Sequence, residues 1–340
     1  MITFSLHIKV RKALLTSFKI LFTILILNVS VMPQTSDKSP VDPCYDQSDH
    51  KVSFITTEPG VALEVLDWGG TGDYLVLLTG LGDNAHVFDN FAYQFTDLFH
   101  VIGITRRGFG KSDKPEDGYD EATRVRDYIS ILDQLNISKA SFAGHSISCG
   151  ELCVIGSEYA DRVNKLVFLD GLDYGEQKNL KQPPGPDYSD EEISSLDKFM
   201  AALVRFNGYR EPNPAICDLY TMDSEGRITG TVSPPEVTAK LIESNVTSDF
   251  SLITAPVLGI FEAWTIKTHP QYYYYLSKEK QAEFDNAFAP IYEWRERRLG
   301  EFRTQIKNCR IIEMPDVNHY VFITKEADVA REMREFLTGK

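Results

Sequence analysis

The fold of this chain is decided by residues 139–159, which read KASFAGHSISCGELCVIGSEY. Within them, residues 144–148 (GHSIS) separate a short apolar run from a helical pattern. A strand that turns at once into a helix brings the backbone close to itself, so small residues are needed two places before and two places after the central one. Gly144 meets that need fully and Ser148 approximately. The pattern predicts that Ser146 is a nucleophile on a tight turn between strand and helix.

Six short stretches, one of them the run just described, are continuously apolar, as expected for parallel strands that are covered on both faces. They are residues 74–80, 100–105, 139–143, 164–170, 255–261 and 309–314. Residues 51–57 and 61–68 alternate between apolar and polar, which predicts an antiparallel pair. Helical patterns include 120–135 and 325–337, the second with Thr324 as its N-cap. The predicted fold class is α/β, a mostly parallel eight-stranded sheet flanked by helices.

A long insertion interrupts this alternation. More than eighty residues separate the strand that ends at Asp170 from the strand that begins at Ala255. A crossover needs only about a dozen residues, and helical patterns such as 191–206 fill the excess. We therefore expect a helical cap after the sixth strand. The predicted domains are a first part of the core at 45–172, the cap at 173–250, and a second part of the core at 251–340.

Four motifs together resemble those of a known family. They are LTGLG at 78–82, RRGFGKS at 106–112, GHSIS at 144–148 and the late Asn318-His319. On these motifs the chain resembles the α/β-hydrolase fold family, in particular the cap-bearing esterases similar to pimeloyl-carrier-protein methyl ester carboxylesterase. The resemblance covers about residues 68–337. It implies an α/β-hydrolase fold and a catalytic serine, acid and histidine in that chain order.

The resemblance also implies an oxyanion hole after the third strand. The family typically has His-Gly there, whereas this chain has Thr79-Gly80. Because the hole is built from backbone N–H groups, the change of side chain need not abolish it. The expected donors are the N–H groups of Leu81 and of Ile147, each contributing about 3 kcal/mol of transition-state stabilisation.

The histidine that the resemblance implies as general base is His319, which follows the last strand. The acid has more than one candidate. The family often places it after the strand that follows the cap. Residues 259–265 (GIFEAWT) contain Glu262 but no aspartate. Some members place the acid after the preceding strand, where Asp170 lies. Asp170 is the favoured acid, with Glu262 and Asp173 as alternatives.

These residues predict a hydrolase that cleaves a carboxylic ester through an acyl-enzyme on Ser146. The expected partner is a small, partly apolar ester, and neither a metal nor an organic cofactor is expected. Other reactions on the same three residues are alternatives, namely amide or aminopeptide hydrolysis and C–C bond cleavage by a hydrolase or lyase, since the fold hosts all of them. A ligand-binding protein that kept the pocket without catalysis is a further alternative.

The net charge of −14 disfavours binding to nucleic acid. Residues 1–34 have the layout of a signal peptide, with basic residues, an apolar stretch at 20–32 and a polar exit. This predicts a secreted or periplasmic protein without stable membrane insertion after cleavage. A retained anchor formed by residues 20–32 is the alternative. Export permits disulfides, and of the five cysteines Cys44 or Cys217 could take part in one.

Overall fold

The computed structural model describes residues 44–339, and these include ten strands. They are β1 (Lys51–Glu58), β2 (Val61–Gly69), β3 (Tyr74–Leu78), β4 (His100–Ile104), β5 (Ala140–His145), β6 (Val163–Leu169), β7 (Tyr220–Met222), β8 (Ile228–Thr231), β9 (Val257–Glu262) and β10 (Cys309–Met314). Eight of them form one sheet in the order β1-β2-β4-β3-β5-β6-β9-β10. Strand β2 runs antiparallel to both of its neighbours, and the remaining neighbours are parallel. The predicted mostly parallel eight-stranded sheet is confirmed.

Helices cover both faces of this sheet. They are α1 (Glu121–Gln134), α2 (Ser148–Glu158), α3 (Leu196–Asn207), α4 (Asn213–Cys217), α5 (Pro235–Glu243), α6 (Lys278–Gln305), α7 (Val321–Thr324) and α8 (Glu326–Thr338). Val76 in β3 packs in the core that includes α1, α2 and α6, whereas its neighbour Leu77 packs in the core that includes α7 and α8. Both side chains are fully buried. Burial on both faces is the reason why the strands read as continuous apolar runs.

The ends of two predicted helices illustrate what local sequence decides. Helix α1 begins as predicted, because the Asp120 side chain accepts a hydrogen bond from the N–H of Thr123. The prediction of Thr324 as N-cap of α8 is wrong. Thr324 is the last residue of α7, and its hydroxyl donates to the carbonyl of Tyr320 at 3.1 Å. Lys325 separates the two helices and gives α8 no side-chain cap.

The segment between β6 and β9 contains α3, α4 and α5 together with a small antiparallel hairpin, β7–β8. The hairpin was not predicted, because strands of three and four residues are too short for a periodic pattern. The segment has its own apolar cluster, in which Phe199, Ile216 and Ile228 are buried. A mainly helical insertion after the sixth strand is thus present.

A disulfide joins Cys44 to Cys217, so the segment before β1 is tied to the end of α4. The predicted signal peptide at 1–34 and the alternative anchor at 20–32 lie outside the described residues. Between residues 44 and 339, none of the helices combines the length and the apolar character needed to cross a bilayer.

Candidate active site

Ser146 lies in the predicted turn between β5 and α2, with a φ of 56°. A non-glycine residue in this left-handed region is strained, and such strain is typical of functional sites. A Cβ on Gly144 would be 2.7 Å from Ser148 Oγ, and a Cβ on Gly171 would be 2.2 Å from the carbonyl oxygen of Ser146. The turn therefore requires glycine on two sides. The role of Gly171, 25 residues further along the chain by subtraction, had no local signal in the sequence.

Ser148 stands where the family usually has glycine, and the structure accommodates its side chain. The hydroxyl of Ser148 donates to the carbonyl of His145 at 2.8 Å and lies 3.1 Å from the carbonyl of Leu78. It is fully buried. These hydrogen bonds offset the cost of burying the hydroxyl. Through its contact with Leu78, Ser148 links the turn to the end of β3.

The structure brings Ser146, His319 and Asp170 together in a continuous chain of hydrogen bonds. His319 Nε2 lies 2.8 Å from Ser146 Oγ, and His319 Nδ1 lies 2.8 Å from Asp170 Oδ2. A carboxylate can only accept, so Nδ1 carries the proton and Nε2 is left to accept from the serine hydroxyl. This is the tautomer that a general base needs.

The charges of this pair favour the same assignment. Burial opposes ionisation of Asp170, but the hydrogen bond from His319, the electrostatic attraction to that ring and the charge of Arg295 hold the pKa of Asp170 below the ordinary value. Desolvation lowers the pKa of His319, although the hydrogen bond to Asp170 acts in the opposite direction. An ionised aspartate beside a neutral imidazole is therefore the expected state near neutral pH.

The alternative acids have other partners. Glu262 ends β9, where its backbone N–H donates to Asp170 Oδ1 at 2.8 Å and its side chain accepts from Trp264 Nε1 at 2.9 Å. Burial and the repulsion from Asp170 raise the pKa of Glu262 to about 8, so its carboxyl is neutral near pH 7. Asp173 is buried in an ion pair with Arg298. Among the described residues, neither carboxyl hydrogen-bonds His319.

The two predicted oxyanion donors lie in the turns after β3 and β5. Ile147 is the N-cap of α2 and is fully buried, and Leu81 follows β3 in a turn. Within residues 44–339, the N–H groups of Leu81 and Ile147 donate to no backbone carbonyl. Free N–H groups can donate hydrogen bonds to a developing oxyanion, and the N-terminus of α2 at Ile147 adds a partial positive charge.

Arg106 stabilises the turn that contains Leu81. Its guanidinium donates to the carbonyls of Thr79 (2.8 Å) and Gly80 (3.0 Å), and also to both carboxylate oxygens of Glu151 in α2. Arg106 and Glu151 are fully buried. These contacts give the arginine a structural role beneath the turn.

His145 and Tyr320 make contacts around His319 that were not predicted in detail. His145 Nε2 donates to the carbonyl of His319 at 3.0 Å, and the two rings are 4.7 Å apart. Tyr320 donates from its hydroxyl to Asp83 Oδ1 at 2.9 Å. These contacts hold the loop after β10. The adjacency of His145 to the nucleophile was the only sign of this role in the sequence.

A cleft beside His319 and Asp170 has aromatic walls, formed in part by Tyr174, Trp264 and Trp294. Tyr174 and Trp294 stack with their ring centroids 5.9 Å apart. The cleft is continuous with the hydrogen-bonded chain, since His319 and Asp170 are part of its lining. The cleft is small, about 40 Å³, and Ser146 is not among its lining residues.

The chain resembles known proteins in sequence over part of its length. A 2-(acetamidomethylene)succinate hydrolase from Mesorhizobium japonicum is 29% identical over 133 residues, which is 39% of this chain and 48% of that protein. The matched region thus spans about half of the length of that relative.

The resemblance in structure is more extensive. The crystal structure of E-2-(acetamidomethylene)succinate hydrolase superposes with a TM-score of 0.62 at 17% identity, covering 85% of this chain and 99% of that one. The enol-lactonase from Burkholderia xenovorans gives 0.55 at 17% identity, covering 84% and 100%. At such identities the likeness shows the fold alone. The family model described as the alpha/beta hydrolase fold matches residues 73–272. The chain therefore belongs to the α/β-hydrolase fold family.

Proposed function

We propose that this protein is a serine hydrolase that cleaves carboxylic esters through an acyl-enzyme on Ser146. The observation that carries the proposal is the pair of 2.8 Å contacts that joins Ser146 to His319 and His319 to Asp170. A serine hydroxyl is a poor nucleophile until an adjacent base takes its proton, and the base needs a third group to orient it. Ser146 is the candidate nucleophile, His319 the candidate base and Asp170 the candidate orienting group.

The proposed reaction has two half-reactions. Ser146 Oγ attacks the ester carbonyl while His319 Nε2 takes the hydroxyl proton, and the N–H groups of Leu81 and Ile147 bind the oxyanion. Collapse of the tetrahedral intermediate breaks the bond to the alcohol, which leaves with the proton from His319. Water, activated by His319, then attacks the acyl-enzyme and releases the carboxylic acid. Asp170 keeps the imidazole oriented throughout.

The proposed substrate is a small, partly apolar ester, and the aromatic side chains of Tyr174, Trp264 and Trp294 near His319 support an apolar group on it. Its acyl length is best measured directly. We propose assays with p-nitrophenyl esters of increasing acyl length, from acetate upward. A kcat/KM that rises with the first added methylenes supports an apolar acyl site; a kcat/KM that is highest for acetate and falls with each methylene contradicts it.

Amide cleavage is the second candidate. It is favoured by the relative from Mesorhizobium japonicum, whose name describes a hydrolase of a compound that carries an acetamide group. The same three residues serve both reactions, so the fold does not discriminate between them. A matched pair of substrates with one acyl group, a p-nitrophenyl ester and a p-nitroanilide, separates the candidates. Ester cleavage is supported if the ester is turned over and the anilide is not.

A fluorophosphonate probe tests the catalytic proposal itself, because it reacts with activated serines. We expect stoichiometric labelling of the full chain and none of Ser146→Ala. Ser251→Ala is a control, since the Ser251 hydroxyl contacts Asp249 at 2.6 Å in an exposed turn. Absence of labelling in the wild type, or equal labelling of Ser146→Ala, would favour the ligand-binding alternative and exclude the hydrolase mechanism.

We also propose export, with residues 1–34 removed as a signal peptide. The disulfide between Cys44 and Cys217 supports an oxidising compartment, where disulfides persist. Intact mass of the protein recovered from the host's secreted and membrane fractions tests this. A mature chain that begins between residues 31 and 35 supports the proposal; a full-length chain in the membrane fraction supports the anchor at 20–32.

A further inference from the structure

Four side chains from two segments that are distant in the sequence lie close together outside the Ser146 site. Asp46 and His50 precede β1, and His86 and Asp89 belong to the turn that begins at Ala85. Each offers one ligand atom, and these atoms all lie within 4.8 Å of one another. The side chains of His50 and His86 are 1% exposed, that of Asp89 is 5% exposed and that of Asp46 is 29% exposed.

Hydrogen bonding accounts for only one contact of this arrangement, the one between His86 and Asp89. His50 Nε2 lies 3.0 Å from Asp46 Oδ2, and His50 Nδ1 lies 3.2 Å from Asp89 Oδ1. Neither contact has hydrogen-bond geometry, and both ring nitrogens of His50 lack a hydrogen-bond partner among the described residues. His86 Nδ1 contacts Asp89 Oδ2 at 3.0 Å. Buried polar atoms without partners are costly and need an explanation.

A metal ion bound through His50 Nε2 accounts for the spacing and gives that nitrogen a partner, while Nδ1 stays 3.2 Å from Asp89 Oδ1. Ligand atoms placed tetrahedrally at about 2.0–2.1 Å from Zn²⁺ lie about 3.3 Å from one another. Three N···O contacts of the cluster use a single atom from each residue: His50 Nε2 to Asp46 Oδ2 at 3.0 Å, His86 Nδ1 to Asp89 Oδ2 at 3.0 Å and His86 Nδ1 to Asp46 Oδ2 at 3.7 Å. We propose that Asp46, His50, His86 and Asp89 form a binding site for one divalent cation, with Zn²⁺ as the preferred ion.

The surroundings of His86 fit a metal ligand. If Nδ1 binds the ion, Nε2 carries a proton and faces the carboxylates of Asp218 (3.6 Å) and Glu64 (3.9 Å), which are near it but beyond hydrogen-bond distance. A ligating histidine almost always donates its other N–H to a carboxylate or carbonyl, which fixes its orientation. Lys111 balances Asp218 through a 2.8 Å ion pair. Glu64 and Asp218 are therefore neighbours of the ligand His86 and not a second metal site.

The ligand set selects the kind of ion. Two imidazoles and two carboxylates suit Zn²⁺, whereas Ca²⁺ and Mg²⁺ prefer sites made of oxygen ligands. Two ionised aspartates carry a charge of −2, which one divalent cation neutralises. Asp46 is also pre-oriented, because its Oδ1 accepts from the N–H of Ser48 at 2.9 Å and leaves Oδ2 facing the cluster.

The proposed role is structural, since the cluster lies outside the chain of hydrogen bonds at Ser146. The ion would tie the segment before β1 to the turn after β3, and the disulfide between Cys44 and Cys217 already ties the same segment to α4. Asn84, the N-cap of that turn, donates to the carbonyl of Ala215 in α4 at 2.9 Å. Local sequence does not predict the site, because its two halves are separated by the β1–β2 pair.

The test is metal content, measured on the full chain purified through a tag without histidines. After dialysis with zinc and removal of free metal, elemental analysis should find one equivalent of Zn²⁺ in the wild type. Asp46→Asn and His50→Ala should bind Zn²⁺ more than about 10-fold more weakly. His100→Ala is the matched control, since it removes a 2.8 Å histidine–aspartate contact outside the cluster and should retain the ion. Chelation should lower the melting temperature of the wild type, and Zn²⁺ should restore it.

Three outcomes would overturn the proposal. The first is a wild type that retains much less than one equivalent of Zn²⁺ after the titration. The second is binding in Asp46→Asn and His50→Ala that equals binding in the wild type, with circular dichroism confirming that the variants are folded. The third is a site that binds Ca²⁺ and not Zn²⁺. The partly exposed position of Asp46 makes Asp46→Asn the variant least at risk of misfolding.

Discussion

The backbone N–H of Glu262 donates a 2.8 Å hydrogen bond to Oδ1 of Asp170, while Oδ2 of the same carboxylate lies 2.8 Å from His319 Nδ1. The two carboxylic acids that compete for one role in the sequence are therefore neighbours with different parts in the structure. Asp170 contacts the imidazole through its side chain. Glu262 supports Asp170 through its main chain, at the end of the adjacent strand.

We predict that Asp170→Asn lowers kcat for ester hydrolysis by about 10³–10⁴-fold, because an amide at this position favours the wrong tautomer of the imidazole. Glu262→Gln should change kcat by less than about 3-fold, because its backbone donor is retained. Steady-state kinetics with one p-nitrophenyl ester measure both. A silent Asp170→Asn together with a strong loss in Glu262→Gln would reverse the two roles.

Glu262→Gln should also stabilise the protein, and more so at alkaline pH. The pKa of Glu262 is raised to about 8 in the folded protein, whereas in the unfolded chain it is about 4.3. The folded state therefore binds more protons between these values, and its stability falls as the pH rises. Glutamine does not ionise and can still accept from Trp264. Urea unfolding should show a gain on the order of 1–3 kcal/mol at pH 8 and little at pH 4.5; an equal gain at both values contradicts the raised pKa.

The acid limb of the pH–rate profile should lie below the ordinary pKa of histidine. Only the neutral imidazole of His319 can take the serine proton, and desolvation lowers its pKa from the usual 6.5. We expect the midpoint of the acid limb of kcat/KM to lie below 6.5, the ordinary pKa of histidine. An acid limb with an apparent pKa above 7 would mean that Asp170 outweighs desolvation in the free enzyme.

Gly171→Ala should be among the most damaging single changes near the site. Its Cβ would meet the carbonyl oxygen of Ser146 at 2.2 Å and Cys149 Sγ at 2.7 Å, so the strained turn must move. We expect a loss of about 1–3 kcal/mol in unfolding free energy and a fall in kcat with little change in KM. Gly300→Ala is the control, because its Cβ would meet nothing within 4 Å inside α6, and it should be neutral or stabilising by about 0.5–1 kcal/mol. Equal effects of the two substitutions would refute the steric account.

Arg106→Lys should reduce both stability and activity. A lysine cannot replace the guanidinium that donates at once to Thr79, Gly80 and Glu151. Loss of one partner from a buried ion pair costs about 3–5 kcal/mol, and release of Gly80 displaces the neighbouring oxyanion donor. Arg331→Lys on the surface should change stability by less than about 0.5 kcal/mol. Urea unfolding and kcat report the two effects. A variant of Arg106 that kept wild-type kcat would show that the turn is held by other contacts.

Many parts of the fold were predictable because their signals are local. The eight strands of the main sheet, the turn at Ser146 and helix α1 each depend on residues within about a dozen positions of one another. The errors are at places where local signals are weak or where neighbours intervene. Thr324 was predicted as an N-cap, but α7 directly precedes α8, and the β7–β8 hairpin is too short to show a period.

What the sequence by itself determined is the α/β-hydrolase fold, with Ser146 on its tight turn and His319 after the last strand. The tertiary structure decided which carboxyl group meets His319, which glycine lies against Ser146, and that Asp46, His50, His86 and Asp89 converge. The physical reason is the range of each signal. Hydrophobic periodicity and turn chemistry act between near neighbours in the chain. Hydrogen bonds, steric contacts and metal coordination depend on distances of a few ångströms between residues that only the folded sheet brings together.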